Sequence, residues 1–170
     1  ALARRRERGA TFGANLRHAF TRTLKLILLG QILVSLNAGR FRLHPMETLT
    51  HLGVCYICCF LILHLRFRWQ VVAAAFLMAV TSGLYLLFPG AAGPFSPADN
   101  IGVIIDRAVF GLDQAGRTVN IYFLGTTVHM LFGAWTGLLL MSKRSHPEKL
   151  KILGAATLAS FLAAVALTPF

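Results

Sequence analysis

WQVVAAAFLMAVTSGLYLLF (residues 69–88) decides the broad architecture of this chain. The stretch contains no Asp, Glu, Lys or Arg. A helix of that length rises about 30 Å, the thickness of the bilayer hydrocarbon. Similar apolar runs recur on both sides of it. We read five transmembrane helices in all, over about 20–38, 47–65, 69–88, 120–141 and 149–168. The expected fold class is therefore all-α, a polytopic membrane helix bundle occupying residues 1–170 as a single transmembrane domain. Composition agrees: 56% of the 170 residues are hydrophobic and only 14% are charged, against roughly 25% in soluble domains. The mean hydropathy is +0.65.

The formal net charge of +11 is a topology signal in such a protein. With the N-terminus placed in the cytoplasm, the inside segments collect Arg4, Arg5, Arg6, Arg8, Arg17, Arg22 and Lys25, then Arg66 and Arg68, then Lys143, Arg144, Lys149 and Lys151. That is 13 of the 17 basic residues, and only Arg40, Arg42, Arg107 and Arg117 remain outside. Cytoplasmic loops of membrane proteins carry this excess. The same placement at helix ends sets nucleic-acid binding aside. The chain starts at Ala1 and shows no cleavage-site pattern behind its basic first turn, so it reads as a piece of a longer membrane protein.

The connection from Pro89 to about Val119 falls on the outer side. PGAAGPFSPADN (residues 89–100) should be irregular. IGVIIDRAVFG (101–111) has the apolar rhythm of a short interfacial helix. Asp99, Asp106 and Asp113 lie in this connection, half of the six acidic residues. They fit a substrate mouth and a solvated loop equally well.

Glu47, His51 and Cys55 share one helical face by their spacing of four. Zinc is not expected there, because Cys55, Cys58 and Cys59 lie in one apolar segment without a second ligand pair. Three free cysteines also give no disulfide framework. A bis-His haem would need imidazoles at equal depth. His129 stands about nine residues into its span and His51 about four into its own, which separates them by several ångströms. His129 is the most deeply placed ionisable group, and its plain structural reading is a neutral imidazole bonded to a backbone carbonyl or to Thr126. Gly133 and Gly137 form a small-xxx-small pair expected to pack on another helix. Asn37 reads as a helix C-cap ahead of Gly39. No phosphate loop, Ser-His-Asp order or paired intramembrane carboxylates are present.

Several stretches together resemble one family, the heparan-α-glucosaminide N-acetyltransferase-like membrane acyltransferases and their bacterial relatives. RRRERGATFGANLRHAFTRTLKLILLG is similar to that family's basic loop and following helix. SLNAGRFRLHPMETLTHLGVCYI resembles its Asn-Gly helix end and Gly-Val-Leu-Gln-Arg segment. NIGVIIDRAVFG resembles its outward Ile-Asp-Arg stretch, and LFGAWTGLLL its Leu-Gly-x-x-x-Gly span. LGAATLASFLAAVALTPF resembles the span before its Pro-x-Asn-Lys-x-x-Trp motif. The order of motifs is kept along nearly the whole chain. Two departures stand out: Glu47-Thr48-Leu49-Thr50-His51 replaces the Gly-Val-Leu-Gln-Arg run, and the family's Asp-Pro-Glu-Gly is absent.

The resemblance implies acyl transfer across a membrane, from cytoplasmic acetyl-CoA to an amino sugar on the outer or luminal side. It places the family's catalytic histidine upstream of Ala1, so no residue here takes that role. Asn37, Asp106 and Arg107 match family motif positions, and His51 stands where the family has an arginine. These four are expected to line the acceptor mouth or the acyl-CoA tunnel. The implied partners are the lipid bilayer, acetyl-CoA, a glycan or amino-sugar acceptor and, in a homo-oligomer, a second copy of the chain. The implied location is a bacterial cytoplasmic membrane. A transporter or flippase segment without chemistry is the alternative, and a haem-binding subunit the third reading.

Overall fold

The computed structural model describes residues 11–41, 47–91, 93–96, 99–111 and 120–167. Arg4, Arg5, Arg6, Arg8, Arg42, Asp113 and Arg117, named above, lie outside those residues. Among the described residues six α-helices follow one another: α1 (Phe12–Asn37), α2 (Thr48–Ile62), α3 (Phe67–Leu87), α4 (Ile101–Phe110), α5 (Phe123–Leu140) and α6 (His146–Leu167). One turn of 3-10 helix, Asn120–Tyr122, leads into α5. Among the described residues there is no β-strand.

Among the described residues four helices are long and apolar enough to cross a membrane: α1, α3, α5 with its leading turn, and α6. The second expected span is shorter than the sequence suggests. α2 has 15 residues, about 22 Å of rise against roughly 30 Å of hydrocarbon. Its chain unwinds after Ile62 into a turn. The His64 and Leu65 amides bond the Leu61 and Ile62 carbonyls at 3.2 and 3.0 Å. Gln70 Nε2 donates to the Leu63 and Leu65 carbonyls at 3.3 and 2.8 Å, which closes the corner into α3. At the other extreme, α1 starts about two turns before its apolar run because Thr11 caps it, accepting from the Ala14 amide at 3.4 Å.

The chain forms two compact units, 1–131 and 132–170. In the first, α1 and α2 make an antiparallel hairpin. Phe12, at the start of α1, stacks on Phe60 near the end of α2 and meets the edge of His64. Further along, Thr23 Oγ1 donates to the Gly53 carbonyl at 3.1 Å and Gln31 Nε2 to Thr50 Oγ1 at 2.9 Å. Two glycines allow this approach. A Cβ on Gly53 would sit 3.1 Å from the Thr23 carbonyl oxygen, and one on Gly30 would collide with the Glu47 carboxylate and Thr50. Lipid tails are as apolar as Leu, so membrane helices associate through close backbone approach and polar bonds of this kind.

Close approach at small residues is thus found at Gly30 and Gly53, which the sequence reading did not single out. At Gly133 and Gly137 an added Cβ would meet nothing within 4 Å. Asn37 is the last residue of α1 and not its cap; Ala38 caps, and Gly39 takes the left-handed conformation at φ +64°.

α4 is the short helix expected over 101–111. Asn100 caps it, with Oδ1 accepting from the Val103 amide at 3.2 Å and Nδ2 donating to the Ser96 carbonyl at 2.6 Å. Gly111 ends it at φ +63°. Val103 and Ile121 form a small buried core with Leu84, Tyr85, Ile105 and Leu124. This core ties the end of α3, α4 and the start of α5 together. In the second unit, Glu148 in the first turn of α6 reaches back to Ser145, whose amide donates to Glu148 Oε2 at 3.2 Å. Lys149 Nζ reaches the Leu140 carbonyl at 2.8 Å. No described residue of α6 is buried, as suits a helix whose solvent is lipid.

Candidate functional site

Within the first unit, the end of α1, the start of α2, the end of α3, α4 and the start of α5 all meet at one end of the bundle. The opposite end carries Arg17 at the start of α1 and Arg66 and Arg68 at the start of α3. A cleft of about 370 Å³ opens at the first end, between the start of α2, α4 and the start of α5. Its polar lining is Thr50, His51 and Asn120, and its apolar lining Val54, Ile105, Val109, Ile121 and Phe123. Cavities of 300–1,000 Å³ with apolar walls and a few placed polar groups are typical of small-molecule sites.

The local chain explains how His51 reaches the cleft. Glu47 caps α2, its Oε2 accepting from the Leu49 and Thr50 amides at 2.7 and 3.3 Å. A carboxylate is well placed at the positive end of a helix dipole. One turn later, His51 Nε2 lies 2.9 Å from Thr126 Oγ1 of α5. The imidazole also stacks on Tyr122, with ring centres 6.0 Å apart and an interplanar angle of 19°. One further turn on, the Cys55 thiol donates to the Phe123 carbonyl at 3.5 Å. Glu47, His51 and Cys55 do share a face, but each is engaged by a different partner. Among the described residues no group of three or more His, Cys, Asp and Glu could hold a metal ion.

Asp106 is fully buried beside the cleft. Both its carboxylate oxygens accept from Asn120: the amide N–H lies 3.0 Å from Oδ2 and 3.3 Å from Oδ1, and the side-chain Nδ2 lies 2.9 Å from Oδ1. This clip fixes the start of α5 against α4, and with it the position of Thr126 beneath His51. Arg107, the next residue, is on the exposed side of α4.

Of the four residues singled out in the sequence, His51 lines the cleft and Asp106 holds its wall. Arg107 and Asn37 do not line it. Asn37 is exposed at the end of α1, beside a separate open groove that includes Gln31, Ser35 and Arg40. His129 bonds the Gly125 carbonyl at 2.8 Å, the backbone partner its plain reading offered. Thr126 goes to His51 instead. Asn120, Thr50 and Thr126 were not foreseen. Asn120 carried a weak signal, a polar residue immediately before an apolar run; its pairing with Asp106 fourteen residues away carried none.

Compared with known proteins, the chain matches no family model, no curated protein and no solved structure.

Proposed function

We propose that this chain forms the acceptor side of a membrane acyltransferase, one that moves an acetyl group from cytoplasmic acetyl-CoA to an amino sugar across the membrane. The observation that carries the reading is the cleft with His51 at the bundle end opposite Arg17, Arg66 and Arg68. By the positive-inside rule the arginine end faces the cytoplasm, where the CoA thioester is available, and the cleft faces the other side. The ordered run of motifs resembling the N-acetyltransferase family supports the same assignment.

The transfer breaks the thioester C–S bond, forms an amide C–N bond at the acceptor nitrogen and releases CoA as a thiol. The nitrogen must lose a proton, and the thioester oxygen gains negative charge on the way. In this chain the Asp106–Asn120 clip holds the cleft wall, and His51 presents an imidazole to the acceptor. A misplacement of about 1 Å costs on the order of a hundredfold in rate, so positioning residues matter as much as contacting ones.

The test uses membranes containing the full-length protein, labelled acetyl-CoA on the cytoplasmic side and hexosamine acceptors on the other. Asp106→Asn should lower transfer by roughly tenfold or more through loss of positioning. Unchanged transfer in both Asp106→Asn and Arg107→Ala would overturn the assignment of this face.

A further inference from the structure

The hydrogen bonds around His51 fix which of its nitrogens is available to a ligand. Thr126 has one hydroxyl proton. Its Oγ1 donates to the Tyr122 carbonyl at 3.2 Å, the back-bond that Thr makes within a helix. In the tautomer that keeps this back-bond, the same oxygen accepts from His51, at 2.9 Å from Nε2. In the neutral imidazole a proton on Nε2 leaves the lone pair on Nδ1. Among the described residues nothing bonds Nδ1. The ring is held by Thr126 and by stacking on Tyr122, so this lone pair is preorganised. Around it the cleft walls are mostly apolar: Val54, Ile105, Val109, Ile121 and Phe123.

We infer that His51 Nδ1 is the hydrogen-bond acceptor that seats the ligand of this cleft, and that the ligand is amphipathic: an amino sugar carried on an alkyl or lipid chain, its amine or hydroxyl donating to Nδ1 and its chain lying against the apolar walls. This rests on the acyltransfer reading for the identity of the sugar, and names the acceptor class within it. A free hexosamine would leave the five apolar side chains unused. A plain hydrocarbon would cover Nδ1 without offering it a donor, which is costly. A ligand with both parts satisfies both, and a cleft at a bundle end lets the chain run into the bilayer while the sugar stays at its surface.

The test measures binding of methyl and hexyl 2-amino-2-deoxyglucosides to the full-length protein in detergent, each corrected for its partition into that detergent. The hexyl glycoside should bind at least tenfold tighter, because several methylenes leave water on binding. His51→Asn places an amide oxygen where Nδ1 stood and should keep most of the affinity. His51→Gln reaches the Thr126 hydroxyl but leaves the Nδ1 position empty and should weaken both glycosides roughly tenfold, as expected for one lost hydrogen bond. Val109→Trp should remove the advantage of the hexyl chain.

Equal affinity for the two glycosides, or equal effects of Asn and Gln at position 51, would overturn the inference. Should both His51 variants fail to fold, nitrogen NMR of the wild-type histidines decides: a signal of unprotonated Nδ1 that moves on adding the hexyl glycoside supports it, and one that does not move overturns it. Acetyl transfer measured in parallel separates the two proposals. Binding with this pattern but no transfer leaves the inference standing and removes the acyltransferase reading. Transfer to free hexosamine, indifferent to His51, does the reverse.

Discussion

Asp106 gives the sharpest energetic test of how the site is built. Its side chain is 0% exposed, and both carboxylate oxygens point at the same residue. The Asn120 amide N–H is shared between Oδ2 at 3.0 Å and Oδ1 at 3.3 Å, while Asn120 Nδ2 donates to Oδ1 at 2.9 Å. Two donors thus serve one charged acceptor, and a hydrogen bond to a charged group contributes about 1.5–3 kcal/mol. Asp106→Ala removes the acceptor and leaves two donors to find new partners, at about 1–3 kcal/mol for each one that stays buried. Asn120 is only half-buried, so its side chain can turn outward, and the expected loss is about 2–4 kcal/mol. Asn120→Ala leaves a buried carboxylate short of one donor, with a loss of similar size. The double variant has neither the short-changed carboxylate nor the orphaned side-chain amide, and leaves only the backbone N–H of residue 120 without its acceptor. It should be more stable than the sum of the two losses implies, by a coupling energy of about 1.5–3 kcal/mol. The chain supplies its own probe. Cys55 and Cys59 are buried free thiols and Cys58 is part-buried, so in a Cys58→Ser background a thiol-reactive fluorophore reports unfolding of the first unit during a thermal or denaturant titration. Additivity of the two losses to within about 0.5 kcal/mol would show that the clip carries no interaction energy, and would refute this account of the cleft wall.

The glycines divide into two classes. Gly53→Ala and Gly30→Ala should each destabilise the α1–α2 hairpin by about 1–3 kcal/mol through overpacking, seen as a lower midpoint in the same thiol assay, because their Cβ atoms would press on Thr23 and on Glu47 with Thr50. Gly133→Ala and Gly137→Ala, whose Cβ atoms meet nothing within 4 Å, should be neutral or stabilise by about 0.4–1 kcal/mol; a clear loss would mean that a second chain covers that face. Gln70→Leu should cost about 1–3 kcal/mol by leaving the Leu63 and Leu65 carbonyls without their donor at the α2–α3 corner. For orientation, Ser96→Cys should react with an impermeant maleimide from the outside of cells and Ser145→Cys only after the membrane is opened; the opposite pattern would invert the topology on which the functional proposal depends.

The helices were legible because their signals are local. Apolar length gave α3, α5 and α6 to within a few residues, and the Ile-Gly-Val-Ile-Ile rhythm after Asn100 gave α4. Where a local cap competed with apolar length, the sequence misled. Thr11 carries α1 backward past Arg17 and His18, and the turn after Ile62 cuts α2 short although Leu63 and Leu65 are as apolar as the residues before them. The site was half legible. The resemblance to family motif positions singled out Asn37, His51, Asp106 and Arg107; His51 lines the cleft and Asp106 is buried beside it, while Asn37 and Arg107 stand away from it. What His51 and Asp106 bond to was not legible. Asn120 and Thr126 are reached across sequence separations of 14 and 75 residues, and nothing local distinguishes Thr126 from Thr127, which bonds the Phe123 carbonyl within its own helix. The small-residue pattern failed for the same reason. Gly133 and Gly137 have the textual spacing of a helix contact, whereas Gly30 and Gly53 make one across two helices, where no spacing along the chain records it.

One physical requirement links these features. In lipid, apolar surface gives helices no reason to associate, so a bundle must be specified by polar bonds and close backbone approach. Here those bonds concentrate toward one end. Gln31–Thr50, Glu47 with the α2 amides, His51–Thr126 and Asp106–Asn120 all lie at the starts of α2 and α5 or against them. The opposite end of the first unit is held by Phe12 with Phe60 and His64, and by Gln70 at its corner. The polar bonds that assemble the unit are therefore also the ones that preorganise the cleft. A substitution at Thr126 or Asn120 should alter ligand binding and stability together, whereas one at Val109, on the apolar wall, should alter binding with little change in stability. That separation is what distinguishes a ligand site built into the packing from a surface hollow left over by it.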